Sequence, residues 1–471
     1  MNRRLPFLLA LCAAFAVSCT RNAPYRLASD GQALESRVEE ADLTDPARRA
    51  RVASSSVEIH DDYKLLFTEF DDQGQAYSTE SFRQVTQTLQ TEAQAPDKPR
   101  LAIVLFAHGW KNNASVCNRN VCCFRAFLSR LAADMKVGAT RPGSSVGPMR
   151  VIGIFVGWRG LSLAVPVLET FSFYGRKQAA TNIGQGELVE LLAFLDRYQK
   201  NLNAETPNRC RLVILGHSFG GAMVFSAVAN VLKSRVMESR VRTMLSGEDA
   251  PIEGFGDVVV LVNPAFEASL YAPLNELMGY FPSFTRRQSP LMVILSSETD
   301  TTTRFYFKVG RWLETVFQKT GPRSPRDMLV RTVGNYDPFI THRASVAQDA
   351  GVVRPKILRG VVDNCECSLP MSEIDAATVD RLLRIYSLGP AEAQAAMKPT
   401  LCPGSERMGI VALDCVVTRP PGLPLWVIRA SDDVVSGHSG FFTRGVTDIV
   451  RNLAARRVLE GAATARAGPP P

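Results

Sequence analysis

A serine flanked by glycines is the first feature of this chain that suits chemistry. The residues Gly216-His217-Ser218-Phe219-Gly220 follow an apolar run at 212–215, and apolar side chains recur on one helical face over 223–232. A serine hydroxyl attacks a carbonyl carbon only when a base takes its proton. A strained turn between strand and helix would present that hydroxyl at the end of the strand. The pattern predicts Ser218 as a nucleophile; the alternative is a tight turn with no catalytic role.

A second segment, upstream, supports the same interpretation. The run VLFAHGW at 104–110 is a predicted strand followed by His108-Gly109-Trp110. It resembles the His-Gly-x loop of bacterial lipases and esterases in the α/β-hydrolase superfamily, and the resemblance is strongest over 101–232. It implies that the backbone amides of Trp110 and Phe219 form an oxyanion hole. It also implies supporting roles in the loop and the turn for His108, Gly109, Gly216, His217 and Gly220.

The same resemblance selects a base among the five histidines, which are at positions 60, 108, 217, 342 and 438. In this superfamily the order along the chain is nucleophile, acid, histidine, with the histidine after the last strand. His438 follows the apolar run at 425–428 and precedes a final amphipathic segment, so it is the expected base. His342 is the alternative; its other interpretation is a half-buried structural or substrate-facing histidine.

The acid is expected just after the penultimate strand. The run at 291–295 is followed by Glu298 and Asp300, and Asp300 is preferred because it lies further into the loop. Glu298 is the reserve. Asp432 is a rival, but it is only six residues from His438 and is better placed to stabilise that loop.

Together these residues predict a serine hydrolase that cleaves an acyl bond, with a carboxylic ester as the preferred substrate, through a Ser-His-Asp triad and an acyl-enzyme. Its partner would be a small acyl or lipid substrate, and neither a metal nor an organic cofactor is required. The alternative is an inactive hydrolase fold that serves as a binding or scaffolding module. Aromatic and basic residues after the second predicted strand either contact substrate or pack at the surface: Trp158, Arg159, Phe171, Phe173 and Tyr174.

Short apolar runs and helical patterns must position these residues. The predicted strands are 101–107, 151–156, 212–215, 258–262, 291–295 and 425–428. Continuous apolar runs alternating with helices predict an α/β fold with a mostly parallel, doubly wound sheet that carries helices on both faces. The resemblance to bacterial lipases and esterases implies that this is an α/β-hydrolase fold, with a long insertion before the last strand.

The order of these elements predicts how the chain is divided into domains. Residues 61–303 and 425–458 would form the core, with an inserted cap or side subdomain at 304–424 that is too long for a simple loop. Residues 19–60 are predicted to form a flexible tether, and residues 459–471 are predicted to be a disordered tail. The net charge of +8 comes from scattered basic residues, so a nucleic-acid partner is not expected.

The N-terminus predicts export. Arg3 and Arg4 precede an apolar stretch at 5–17, which is too short to span a bilayer and suits the core of a signal peptide at 1–18. The sequence Ala16-Val17-Ser18-Cys19 resembles the bacterial lipobox, which implies a lipid on Cys19. The alternative is an ordinary secretory signal with an incidental cysteine.

The lipid would anchor the chain to a bacterial membrane, facing the periplasm. Thr20 stands where inner-membrane lipoproteins carry a retention aspartate, which favours the outer membrane by resemblance. Export also makes disulfides the default for the remaining cysteines. Cys117 could pair with Cys122 or Cys123. Cys365 or Cys367 could pair with Cys402 or Cys415. A zinc site formed by Asp363, Cys365, Cys367 and Cys402 is the alternative for these later cysteines, although they lack the paired CxxC spacing of structural zinc.

Overall fold

The computed structural model describes residues 23–27, 34–139, 149–160, 166–281, 283–285, 288–347, 406–416 and 422–464. Within these residues, twelve strands form a single sheet. In chain order the strands are β1 Leu34–Arg37, β2 Ser55–Ile59, β3 Tyr63–Phe70, β4 Arg100–Ala107, β5 Met149–Trp158, β6 Cys210–His217, β7 Val258–Val262, β8 Met292–Ser297, β9 His342–Val346, β10 Glu406–Met408, β11 Val411–Cys415 and β12 Leu425–Ala430. All six predicted strands are among them, with ends shifted by a few residues.

The strand order is β1-β2-β3-β5-β4-β6-β7-β8-β12-β9-β11-β10. From β3 to β9 in this order every neighbouring pair is parallel, whereas β2 is antiparallel to β3, and β11 is antiparallel to both of its neighbours. A mostly parallel α/β architecture is therefore present. The carboxyl ends of its central strands all meet at one edge of the sheet, which is called the carboxyl edge below.

Helices cover both faces of this sheet. They are α1 Glu40–Thr44, α2 Pro46–Ala53, α3 Thr79–Gln94, α4 Arg119–Ala139, α5 Pro166–Gln185, α6 Leu188–Glu205, α7 Phe219–Ser246, α8 Ala268–Met278, α9 Phe307–Glu314, α10 Arg326–Val330 and α11 Arg444–Thr464, with a π-helical turn at Thr302–Tyr306. Within β4, Ile103 and Leu105 join the core beneath α6 and α7, while Val104 and Phe106 join the core beneath α4 and α11. Because both faces of the strand are buried, its sequence is continuously apolar.

The prediction of a flexible tether at 19–60 is wrong for its second half. Residues 34–59 form β1, β2 and two helices, and β2 pairs with β3 at the edge of the sheet. Glu58 of β2 is fully buried and receives ion pairs from Arg26 and Arg125 at 2.9 and 2.6 Å. The segment looked like a linker because it is polar, but the charge of its buried Glu58 is neutralised by two arginines from outside residues 34–59.

Two other predicted boundaries also differ from the structure. The described parts of the 304–424 interval do not form a separate cap, because β9, β10 and β11 continue the central sheet beyond β12. Helix α11 extends to Thr464 through the beginning of the predicted tail. The signal peptide and Cys19 lie outside the described residues, as do Asp363, Cys365, Cys367 and Cys402.

The described cysteines fall into two groups. Cys122 and Cys210 are buried free thiols, which removes Cys122 as a partner for Cys117. Cys117, Cys123 and Cys415 are disulfide-bonded. No helix in the described part of the chain is both long and apolar enough to cross a membrane.

Candidate active site

Two of the predicted site segments meet at the carboxyl ends of adjacent strands. The chain leaves β4 toward β5 on one side and leaves β6 toward β7 on the other. In an open α/β sheet such a reversal leaves a crevice outside the strand ends, where ligands bind. His108 directly follows β4 and Ser218 directly follows β6, so both residues lie at this position in the fold.

Ser218 occupies a strained turn between β6 and α7. Its backbone has φ 54° and ψ −118°, a combination that costs on the order of 1–3 kcal/mol for a residue with a side chain. Its N–H donates to the carbonyl of Val262 at 3.0 Å, and its own carbonyl accepts from the N–H of Ala265 at 3.0 Å. The end of β7 therefore holds the predicted strand-to-helix turn in its strained form.

The glycines around Ser218 allow backbone segments to approach too closely for any side chain. A Cβ on Gly220 would lie 2.1 Å from the carbonyl oxygen of Ala107, and one on Gly216 would lie 2.7 Å from the Cα of Gly221. A Cβ on Gly109 would lie 2.7 Å from the Cβ of Ser218. The glycine pattern therefore brings the loop after β4 against the predicted nucleophile.

His438 connects Ser218 to Asp300. Its Nε2 lies 3.0 Å from Ser218 Oγ, and its Nδ1 lies 2.8 Å from Asp300 Oδ2. When Nδ1–H donates to the carboxylate, Nε2 is left as an acceptor for the hydroxyl hydrogen. The structure thus brings together the three residues that the sequence predicts, although His438 is 220 positions from Ser218 and 138 from Asp300.

The carboxylate of Asp300 is fully buried and well supplied with donors. Oδ1 accepts the amides of Thr302 at 2.8 Å and Thr303 at 3.1 Å, and Oδ2 also accepts the hydroxyl of Thr303 at 2.7 Å. Burial by itself raises the pKa of Asp300, but hydrogen bonds and charge from His438, with the Thr303 donors, hold it below its ordinary value. The group is therefore ionised at neutral pH and orients the imidazole.

The rival residues serve other contacts. Glu298 is exposed and pairs with Arg343 at 3.1 Å. Asp432 accepts hydrogen bonds from the Thr299 hydroxyl and from the amide of Gly437, so it ties the His438 loop to the loop after β8. His342 is buried at the start of β9, where its Nδ1 lies 2.8 Å from the hydroxyl of Thr341.

Asn263 is a site residue that the sequence analysis did not identify. Its Nδ2 donates to the carbonyls of Gly437 at 2.9 Å and His438 at 3.0 Å, while Oδ1 accepts the amide of Ser297 at 2.8 Å. The residue is fully buried and has φ 47°, a conformation that asparagine tolerates better than most residues. Its one sequence signal is its position directly after β7, at the carboxyl edge of the sheet.

His217 holds the same carbonyl from the other side. Its Nε2 lies 2.8 Å from the His438 carbonyl oxygen, so Nε2 carries the hydrogen. Burial, together with the neighbouring His438, lowers the pKa of His217 to about 3. His217 therefore stays neutral and, with Asn263, fixes the backbone that carries the His438 ring.

His108 shapes the loop after β4. Nδ1 donates to the carbonyl of Gly109 at 2.9 Å, and Nε2 accepts the amide of Trp158 at 3.2 Å. The indole of Trp158 returns a hydrogen bond to the His108 carbonyl at 3.0 Å. Burial lowers the pKa of His108 to about 4, so the ring is a neutral, fully buried brace for the loop.

Two backbone amides belong to residues close to Ser218. Phe219 is the first residue of α7, where an N–H has no partner within the helix. Trp110 follows Gly109, whose backbone lies against Ser218. Within the described chain neither amide donates to an acceptor. Both are therefore candidate donors to an anionic oxygen that develops next to Ser218.

The aromatic residues predicted near the site have separate roles. Trp158 is buried on His108, and Arg159 pairs with Asp72. Phe173 packs between Trp110 and Phe219, with ring centroids 5.5 and 4.9 Å away. The side chains of Phe171 and Tyr174 lie outside the described set. Among the described residues no cluster of histidine, cysteine and carboxylate side chains could hold a metal.

Comparison with known proteins assigns the chain to no family. No protein-family model matches the sequence, and no curated protein matches it either. The residues and the geometry described above are therefore what indicates the function of this protein.

Proposed function

We propose that this chain is a serine hydrolase of the α/β-hydrolase type that cleaves a carboxylic ester through an acyl-enzyme. The observation that carries the proposal is the hydrogen-bonded line from Ser218 through His438 to Asp300 at the reversal of the sheet. A buried line of this kind activates a hydroxyl, because the base accepts its proton and the carboxylate stabilises the resulting imidazolium. The same machinery can serve thioesters and amides; the resemblance to lipases and esterases favours the ester.

In the proposed reaction, Ser218 Oγ attacks the acyl carbon while its proton moves to Nε2 of His438. The imidazolium then gives this proton to the leaving alkoxide as the acyl–oxygen bond breaks. Water deprotonated by the same Nε2 attacks the acyl-enzyme, and the proton returns to Ser218 as the acid departs. Asp300 stays ionised throughout, consistent with its lowered pKa.

The amides of Phe219 and Trp110 would stabilise the tetrahedral oxyanion. They are fixed before the reaction, because Phe219 begins a helix and Trp110 belongs to a loop braced by His108. Removing one such donor typically costs about 10²- to 10³-fold in rate. From the N-terminal sequence we further propose that a lipid on Cys19 anchors the protein to a bacterial membrane. The protein would face the periplasm, and the outer membrane is favoured over the inner one.

Labelling with a fluorophosphonate probe, followed by ester hydrolysis, tests the proposal. We expect the folded protein to be labelled at Ser218, and labelling to disappear after heat denaturation or in Ser218→Ala. His438→Ala and Asp300→Asn should lower kcat for a soluble ester by about 10⁴-fold, as in other enzymes with this arrangement. Glu298→Gln is the matched control, and its activity should stay near that of the parent.

A folded protein that is neither labelled nor active would reject hydrolysis and favour the binding or scaffolding role. Equal losses in Asp300→Asn and Glu298→Gln would contradict the assignment of the acid. Circular dichroism of each variant separates lost chemistry from lost folding.

A further inference from the structure

An exposed apolar stripe follows the predicted acid along the surface. It occupies residues 302–317, which include the π-helical turn and α9, and begins two residues after Asp300. The side chain of Phe317 is 96% exposed, Phe305 and Tyr306 are each 62% exposed, and Trp312 is 51% exposed. The exposed apolar side chains that define the stripe are Phe305, Tyr306, Val309, Trp312, Leu313 and Phe317.

The spacing of these residues places them on one side of a helix. They recur at intervals of three and four, with adjacent pairs, as the apolar face of an amphipathic helix does. Here that face points to solvent, whereas Phe307 and Gly310 on the other side are buried. Single exposed apolar residues are common, but a contiguous stripe of large ones marks an interaction surface.

The inward side holds this helix firmly on the protein. Phe307 is 1% exposed and packs against Phe173, with ring centroids 6.3 Å apart. Arg311 forms ion pairs with Glu267 and Glu314. These contacts lie at the carboxyl edge, because Glu267 follows β7. The outward direction of the stripe is therefore set by buried contacts on its opposite side.

Basic residues surround the stripe. Between positions 302 and 326 the chain has six lysines and arginines and one acidic residue, Glu314. Arg311 pairs with Glu314 and Glu267, and Arg323 pairs with Glu276, so four of the six basic residues have no ion pair among the described residues. Arg304 and Lys319 are exposed. Large apolar side chains rimmed by positive charge match the boundary of a bilayer that contains anionic lipids, where apolar groups enter and cations meet headgroups.

We propose that the stripe at 302–317 is a membrane-binding surface that docks on anionic lipid bilayers and turns the carboxyl edge toward them. The proposal goes beyond hydrolysis and does not rest on it, since binding requires no turnover. A protein partner would also use apolar contacts, but the four basic residues near the stripe that have no ion pair within the described part of the chain favour an anionic lipid surface.

The N-terminal segment gives independent support. The amides of Tyr25 and Arg26 donate to the carboxylate of Glu69 at 2.8 and 2.7 Å. Glu69 is the penultimate residue of β3, so this attachment lies at the carboxyl edge. Only six positions separate Tyr25 from Cys19, a span of at most about 20 Å. A lipid on Cys19 would therefore hold the same edge close to the bilayer.

Vesicle flotation tests the proposal on the chain from Thr20 onward, which lacks both the apolar stretch at 5–17 and any acyl anchor. We expect the protein to float with vesicles of phosphatidylcholine and phosphatidylglycerol, and more weakly with phosphatidylcholine alone or at high salt. The double variant Trp312→Asp/Phe317→Asp should lower the partition coefficient at least about tenfold. The matched control is Met244→Asp/Leu245→Asp, which replaces side chains 72% and 84% exposed at the far end of α7. It should leave binding unchanged.

Fluorescence gives a second readout. Trp158 and Trp426 are buried and Trp110 is only half-exposed, whereas Trp312 is 51% exposed, so brominated phosphatidylglycerol should quench mainly Trp312. Trp312→Phe should remove most of the quenching, and Trp110→Phe should leave most of it in place. Absence of binding to both kinds of vesicle, or equal losses in the two double variants, would overturn the proposal. Self-association that disappears in Trp312→Asp/Phe317→Asp, without vesicle binding, would overturn it in favour of a protein interface. Fluorophosphonate labelling of each variant reports separately on the proposed hydrolysis.

Discussion

Replacing Asn263 with alanine should damage stability and chemistry together. The side chain makes three buried hydrogen bonds, to Gly437, His438 and Ser297. Each contributes about 1 kcal/mol net, so their loss costs about 3 kcal/mol. Alanine at φ 47° adds about 1 kcal/mol of backbone strain that asparagine largely avoids. We therefore expect the free energy of unfolding to fall by about 4 kcal/mol.

The effect on catalysis follows from the same contacts. Without the amide, the His438 carbonyl is held by His217 alone, and the imidazole is free to move relative to Ser218. A displacement of about 1 Å in reacting groups costs on the order of 10²-fold in rate. Because Asn263 is not expected to touch substrate, kcat should fall while KM stays near its original value.

Urea unfolding and steady-state hydrolysis of a soluble ester measure the two effects. Asn230→Ala is the control, since Asn230 is exposed on α7 and its change should alter the unfolding free energy by less than about 0.5 kcal/mol. A variant that loses stability but keeps kcat would show that Asn263 supports the fold without positioning the base. A variant that loses neither would refute the reasoning from its hydrogen bonds.

Two further predictions concern the turn and the buried ion pairs. Gly220→Ala should lower the free energy of unfolding, measured in urea, by about 1–3 kcal/mol, because the new Cβ would collide with the Ala107 carbonyl. Gly175→Ala is the control: its Cβ would meet open space, so it should raise the free energy of unfolding by about 0.5–1 kcal/mol. Equal effects of the two substitutions would contradict the close approach at Gly220. Burial raises the pKa of Glu58, but its two arginine partners bring that pKa far below its ordinary value. Ionised Glu58 therefore stabilises the fold at a pH above its unfolded pKa of about 4.3, and this stabilisation is lost as the pH falls toward its folded pKa. Glu58→Gln should therefore flatten the decline of stability between about pH 5 and 3, measured by urea unfolding at each pH, and an unchanged slope would refute the assignment.

The strands of the central sheet were predictable because a strand buried on both faces must consist mainly of apolar residues. A strand covered on both faces, such as β4 or β6, must be continuously apolar, and helices between such strands keep one apolar face. The edge regions were not predictable in this way. Residues 34–59 are polar, and their order depends on ion pairs between Glu58 and two arginines distant in sequence.

The candidate site shows the same division. The glycines around Ser218 and their neighbours predicted a tight turn, since only local crowding was needed to explain them. The preference for Asp300 over Glu298 came from chain position. In the structure the amides of Thr302 and Thr303 donate to the Asp300 carboxylate and hold it against His438. Asn263 escaped notice because its partners are more than 30 and more than 170 positions away.

Composition and local spacing were enough to identify the central buried strands, the turn at Ser218 and the available serine, acid and histidine. The packing of distant elements places these three side chains in one line, and it places Asn263 and His217 on the carbonyl of His438. It also decided that the apolar face at 302–317 points outward. Local composition encodes burial and backbone preference, whereas these contacts depend on strand order and on packing between residues far apart along the chain.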